Sequence, residues 1–151
     1  MSFPRSEAMA RALAEAQAAA ARGEVPIGAA IVHAGGRLIA AAGNRTRELN
    51  DPTAHAELLA IRAAGAALVS ERLVDCDLYV TLEPCPMCAA AIGFARVRRL
   101  YYGAPDPKGG GVDHGPRIYT HPTCHHRPEV YSGIGEAKAA DLLRGFFRER
   151  R

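Results

Sequence analysis

Apolar and polar positions alternate along the chain in two rhythms, and these divide it into elements. Met9, Leu13 and a series of alanines recur at helical spacing between Ser6, a capping residue, and Gly23, a stop. They predict a first helix over Ser6–Arg22 with a narrow apolar face. Ile27–His33 and Arg37–Asn44 read as two strands around Gly35-Gly36, a dipeptide suited to a tight hairpin. A second helix opens at Asp51-Pro52-Thr53 and runs to about Ala64, capped by Asp51 with Pro52 at the first helical position, or by Thr53. Leu78–Leu82 is a short run of β-formers and predicts a buried strand. Pro86 starts a third helix that reaches about Ala95, and Val97–Gly103 reads as another strand. The Gly-, Pro- and His-rich stretch Ala104–Gly135 reads as loops with a strand near Ile118, and Glu136–Arg150 closes the chain as a helix. Strands and helices alternate after residue 70, which favours a mixed sheet with helices on its faces. No repeat or linker interrupts this order, so residues 1–151 are expected to form one domain.

Composition narrows the class. With 151 residues, 48% of them hydrophobic and 23% charged, the chain can bury roughly 68–70% of its unfolded surface without disulfide staples. The most apolar stretch, Ala12–Ala21, is broken by Glu15 and Gln17 and falls short of the ~20 residues a membrane span needs. Glu7, Arg11 and Glu15 interrupt any signal-peptide core. Four cysteines without an export signal point to a reducing compartment, the cytoplasm, where thiols serve metals or catalysis. A formal charge of +3 permits an anionic partner without requiring one.

The chemistry is concentrated in His55-Ala56-Glu57 and Pro84-Cys85-Pro86-Met87-Cys88. A Cys-x-x-Cys at a helix start places two sulfurs beside the positive end of the helix dipole, where thiolates are favoured. By itself the pair is also compatible with redox chemistry or half of a structural zinc site. With His55 it makes a three-ligand set that leaves zinc a fourth, open position, the arrangement of a catalytic metal. Glu57 would then take a proton from water on the metal, whose pKa zinc lowers towards ~7. Positions i and i+2 of a helix lie about 200° apart, so His55 and Glu57 can converge only if the metal sits off the helix N-terminus. A carboxylate two residues after a ligating His, followed by Pro-Cys-x-x-Cys, matches the signature of the zinc deaminases that act on nucleobases.

With those motifs in place, the chain resembles the bacterial tRNA-specific adenosine deaminases of the cytidine-deaminase-like superfamily. The likeness also runs through Glu24–Ala29, Gly43-Asn44-Arg45, Asp51–Glu57, Leu78–Cys88, Tyr102-Gly103-Ala104 and Phe146-Phe147-Arg148, from about Met9 to Arg148. The resemblance implies a three-layer α/β/α sandwich around a five-stranded mixed sheet, assembled as a homodimer with one Zn2+ per subunit. It implies hydrolysis of adenosine to inosine at the wobble position of an arginine tRNA, bound through its anticodon loop. His55, Cys85 and Cys88 correspond to the zinc ligands, and Glu57 to the proton shuttle. Asn44 corresponds to the asparagine that contacts the base; taken alone it reads as a turn residue at the end of a strand. Backbone N–H groups at Ala56 and at Pro84-Cys85 fall where the family binds base and reacting oxygen; Pro84 has no N–H, so Cys85 would supply the donor there. Asp106-Pro107-Lys108-Gly109-Gly110 resembles the segment beside the substrate nucleotide, and Lys108 is either a phosphate contact or a solvated side chain. The three successive glycines and Asp113-His114 depart from the family's usual version of this loop.

Two further clusters leave alternatives open. The C-terminal segment sets Arg144 and Arg148 around Phe146 and Phe147. These suit unstacked nucleotides, at about 1–3 kcal/mol per stacked base, or an amphipathic helix with its aromatic rings turned inward, and both readings hold if one ring points each way. Gly145 within this helix costs about 1 kcal/mol relative to Ala and predicts close packing or an altered helix end. His121, Cys124, His125 and His126 read as a surface loop or as a second metal site. Cys76 reads as a small core residue at a strand edge. A small-molecule deaminase acting on guanine, cytosine or a nucleoside would share every zinc residue and is the alternative reading of the substrate.

Overall fold

The computed structural model describes residues 5–150, with side chains from residue 7 onward. The capping assigned to the Ser6 side chain, and Arg151, lie outside the described residues. In chain order the elements are α1 (Arg5–Ala21), β1 (Gly28–His33), β2 (Leu38–Gly43), α2 (Ala56–Leu68), β3 (Cys76–Leu82), α3 (Pro86–Phe94), β4 (Arg99–Ala104), a 3-10 turn (Ile118–Thr120), β5 (Glu129–Tyr131) and α4 (Glu136–Glu149).

The strands form one mixed sheet in the order β2-β1-β3-β4-β5. β1 runs antiparallel to β2 and β3, whereas β3, β4 and β5 are parallel, with α3 crossing between β3 and β4. Strand alternation sorts the side chains into two layers. Ala29, Ile31, Leu78, Val80, Leu100 and Tyr102 meet Ala56, Ala60, Ala64, Ala89 and Ile92 of α2 and α3 on one face. Ala30, Val32, Tyr79 and Tyr101 meet Ala8, Met9 and Ala12 of α1 on the other, where α4 lies beside α1. The result is the expected α/β/α sandwich. The helix layers approach closely because the contact residues are small: a Cβ on Gly28 would stand 1.9 Å from the Ala12 carbonyl oxygen. Burial of each large side chain in these layers, such as Ile31 or Leu100, contributes about 1.5–3 kcal/mol.

Three expectations are corrected. The second helix begins at Ala56, because Asp51 folds the preceding segment into its own turn. Asp51 Oδ1 accepts the Thr53 N–H (2.8 Å) and hydroxyl (2.7 Å), and His55 becomes the N-cap residue. The stretch near Ile118 is a 3-10 turn, and the fifth strand is Glu129–Tyr131. Gly145 is not closely packed: a Cβ there would meet nothing within 4 Å, and α4 runs through it to Glu149. Cys76 opens β3 and is buried, as expected. Among the described residues no helix is long and apolar enough to cross a membrane.

Candidate active site

The N-termini of α2 and α3 converge on one point. His55 immediately precedes α2 in extended conformation, Cys85 immediately precedes α3, and Cys88 lies in the first turn of α3. His55 Nδ1 is 3.6 Å from Cys85 Sγ and 3.4 Å from Cys88 Sγ, and one ligand atom of each residue lies within 4.8 Å of the others. Zinc bound tetrahedrally at ~2.0–2.1 Å from nitrogen and ~2.3 Å from sulfur would set N and S roughly 3.5 Å apart, so the spacing suits that ion. The point lies off the helix ends, which is how His55 and Glu57 come to face the same centre.

The three donors are electrostatically coupled. Bonding from Cys88 and from the His55 ring lowers the Cys85 thiol to about 4. The Cys85 sulfur and burial raise the Cys88 thiol. Cys85 thus carries the thiolate and Cys88 the proton, and a zinc ion held by both sulfurs would displace that proton. His55 is held towards its charged form by Cys85, with the Pro52 carbonyl acting in the same direction. Glu57, 4% exposed in the first turn of α2, is pushed up to about 7 by burial, and the Cys85 charge adds to this. Its carboxyl neighbours Cys88 and His55, which places a base of near-neutral pKa beside the metal position.

Asn44 follows β2 and is buried. Its Oδ1 accepts the Ala56 N–H at 2.8 Å, its own N–H donates to the Ile27 carbonyl, and its carbonyl accepts from Arg22 Nη2 at 3.1 Å. The Ala56 N–H, expected to bind substrate, is therefore engaged by Asn44, and the Asn44 amide NH2 is left to donate. Pro84 is buried, and its carbonyl accepts the Gly111 N–H at 2.8 Å. Asp106 turns its Oδ1 to the Gly109 N–H (2.9 Å) as a cap of its own loop, while Lys108 is exposed.

The structure gathers His55, Ala56, Glu57, Cys85, Cys88 and Asn44, but not the C-terminal candidates. Arg144, Phe146, Phe147 and Arg148 belong to α4, in the helix layer across the sheet from α2 and α3. Phe146 is buried beneath Arg150, whose guanidinium stands 4.0 Å from the ring centroid, and Phe147 is 51% exposed. Arg144 is exposed and ion-paired with Asp141, and Arg148 is exposed. His121, Cys124, His125 and His126 do not form a ligand group among the described residues.

Three supporting residues were not singled out from the sequence. Arg22 holds the Asn44 carbonyl. Glu24, 1% exposed, accepts the N–H groups of Arg47 (3.1 Å) and Glu48 (2.8 Å). Glu83, 2% exposed, accepts several N–H groups of the 106–114 loop. For Glu83 the available signal was a charged residue between an apolar strand and a ligand turn.

Comparison with known proteins agrees with this geometry. The model of the cytidine and deoxycytidylate deaminase zinc-binding region matches residues 4–104. The chain belongs to this family. This zinc-dependent hydrolytic deaminase is 63% identical over 147 residues to the tRNA-specific adenosine deaminase of Agrobacterium fabrum, covering 97% of this chain and 96% of that one. Among solved structures it is similar to one from work on A-to-I editing by tRNA:A34 deaminases at the wobble position of transfer RNA. The TM-score is 0.90 and the identity 62%, over 92% of this chain and 100% of that one. The guanine deaminase of Nitrosomonas europaea superposes with a TM-score of 0.82 at 27% identity, over 95% of this chain and 85% of that one.

Proposed function

We propose that this deaminase converts adenosine to inosine at the wobble position of a tRNA, an arginine tRNA by preference, acting as one domain over its whole length. The observation that carries the chemistry is the His55–Cys85–Cys88 triad with the buried Glu57 carboxyl beside it. The substrate assignment is supported by similarity to the A. fabrum enzyme over nearly the full length of both chains.

His55, Cys85 and Cys88 hold the metal, and zinc bound there supplies the Lewis acid that makes water nucleophilic near neutral pH. Glu57 takes the proton from the attacking water and passes it to the purine ring nitrogen. It then moves the second proton to the departing amine, so that adenosine and water yield inosine and ammonia. Asn44, its amide oxygen engaged by Ala56, donates its NH2 to an acceptor on the edge of the flipped base. The Cys85 N–H after Pro84 is the backbone donor towards the base. Asp106 shapes the loop that presents Lys108 to a phosphate. Arg144 and Arg148 meet the RNA backbone along α4, and the exposed face of Phe147 stacks on an unpaired base.

The deaminase acts as a homodimer in the cytoplasm. Supporting the dimer, Phe94 is 72% exposed and Met87 36% exposed on α3. Phe94 adjoins a cavity of about 350 Å3 lined in part by Ile118, Thr123 and Cys124, which a second copy would cover.

The test is incubation of the zinc-loaded protein with an arginine tRNA anticodon stem-loop bearing adenosine at the wobble position, read by mass spectrometry. A gain of about one mass unit at that nucleotide, absent with free adenosine, is expected. Turnover of guanine or a free nucleoside with no change in the RNA would keep the zinc chemistry and sink the substrate assignment.

A further inference from the structure

β3 runs directly into Glu83, Pro84 and Cys85, so the residue two before a metal ligand is a buried carboxylate. A buried carboxylate needs donors, and among the described residues Glu83 takes them from one segment. Its Oε1 accepts the Asp106 N–H at 3.0 Å and stands 2.7 Å from His114 Nδ1. Its Oε2 accepts the N–H groups of Val112 (3.2 Å), Asp113 (2.9 Å) and His114 (3.1 Å). Tyr102 ties the same segment to β4 by donating to Asp113 Oδ2 at 2.5 Å.

On the loop side this contact is made by glycine backbone, against the Glu83 carboxylate at Gly110 and against the backbone of the ligand turn at Gly111. A Cβ on Gly110 would stand 2.5 Å from the Glu83 carboxylate carbon, and one on Gly111 would stand 2.5 Å from the Pro86 nitrogen. Three successive glycines carry a large ordering entropy, so the loop needs an outside anchor to keep one shape. The anchor must accept hydrogen bonds only. A glutamine would turn its NH2 against the loop's N–H donors.

We propose that Glu83 is a positioning residue for substrate binding: it locks the 106–114 loop onto the ligand turn and so fixes where Lys108 meets the RNA backbone relative to the metal. The RNA part of this statement rests on the function proposed above. Glu83 touches neither the metal position nor the reacting atoms, so its loss weakens binding and leaves the chemical step in place.

The experiment measures kcat, KM and zinc content of Glu83→Gln, Gly110→Ala and Lys108→Ala on the anticodon stem-loop. Glu83→Gln and Gly110→Ala are expected to raise KM about tenfold or more, with kcat within about threefold and one zinc retained per chain. Glu83→Asp, which keeps the charge and part of the acceptor set, recovers part of the KM. Lys108→Ala raises KM in the wild-type background and has no further effect in Glu83→Gln, the non-additivity of residues acting through one unit. A wild-type KM in Glu83→Gln, or a kcat that falls as far as KM rises, overturns the proposal. Should Glu83→Gln fail to fold, Gly110→Ala decides, since it displaces the loop with Glu83 present, and an unchanged KM there overturns the proposal equally. If the RNA assignment itself fails, Lys108→Ala alone leaves KM unchanged. Glu83→Gln still raises KM for whichever base or nucleoside is turned over if Glu83 positions the loop, and leaves it unchanged if it does not.

Discussion

His55 brings its ring nitrogen to the Cys85 and Cys88 sulfurs from 30 and 33 residues away in the chain, whereas His121, Cys124, His125 and His126, close together in sequence, turn their ligand atoms elsewhere. In the second group His121 Nε2 faces the Pro116 carbonyl at 2.5 Å and His126 Nε2 faces the Val97 carbonyl at 2.6 Å. The Cys124 thiol donates to the His126 carbonyl at 3.2 Å, and His125 is exposed. A ring nitrogen facing a carbonyl carries its proton and offers that carbonyl no lone pair. The first group stands at two helix N-termini, whose dipoles and free N–H groups favour thiolates. Density of ligand-type residues therefore says little about a metal site, and convergence of helix ends says a great deal.

The contrast breaks most sharply on metal content. Cys88→Ala is expected to lose the zinc and all measurable turnover, while Cys124→Ser and His126→Gln keep one zinc per chain and activity within about threefold; metal analysis by mass spectrometry decides it. If Cys124→Ser loses zinc as Cys88→Ala does, the two groups are not different in kind. Glu57→Gln separates holding a metal from using it: zinc and fold are retained while kcat falls by at least about 10^3-fold. Unchanged turnover would remove Glu57 from the proton path.

If the second group lines an interface rather than a metal, the protein is expected to be dimeric and Phe94→Lys beside that group to shift it towards monomer at micromolar concentration. Light scattering reads this, and a mass unchanged from wild type would sink that use of the surface.

The smallest effect concerns the anchors that flank the site. For Glu24, burial raises the carboxyl, but the N–H groups of Glu48 and Arg47 outweigh it and the pKa falls below its ordinary value. Glu83 is lowered in the same sense by the N–H of Asp106 and by His114. Such groups stabilise the fold above the unfolded pKa, and that contribution is lost as pH falls through the folded value. Glu24→Gln should therefore cost about 1–3 kcal/mol at pH 7, with the gap to wild type closing below about pH 4 in urea titrations. A gap constant with pH would mean that the carboxylate charge is not what holds the 46–48 turn.

The metal-binding chemistry was legible along the chain because each half of it is local. His55 and Glu57 are two residues apart, Cys85 and Cys88 three, and the turn, proline and helix signals around them fix where each side chain points once a helix starts there. The hairpin at Gly35-Gly36 and the buried β3 strand were legible for the same reason. What could not be read there depends on partners distant in sequence. The second helix starts at Ala56 because Asp51 closes its own turn and Asn44, reached across the β2–α2 connection, takes the Ala56 N–H. β5 is three residues with exposed ends, and its pairing with β4 rather than any hydrophobic pattern makes it a strand. Phe146 turns inward and Phe147 outward because α4 packs against β4, β3 and α1 and leaves its other side to solvent. Glu83 reads as a stray charge at the end of a strand until the loop some 23–31 residues later delivers its N–H groups. A hydrogen-bond donor or a packing surface supplied from elsewhere in the fold leaves no mark on the residue that receives it, and for that reason the chemistry was written in the chain while its supports were decided by packing.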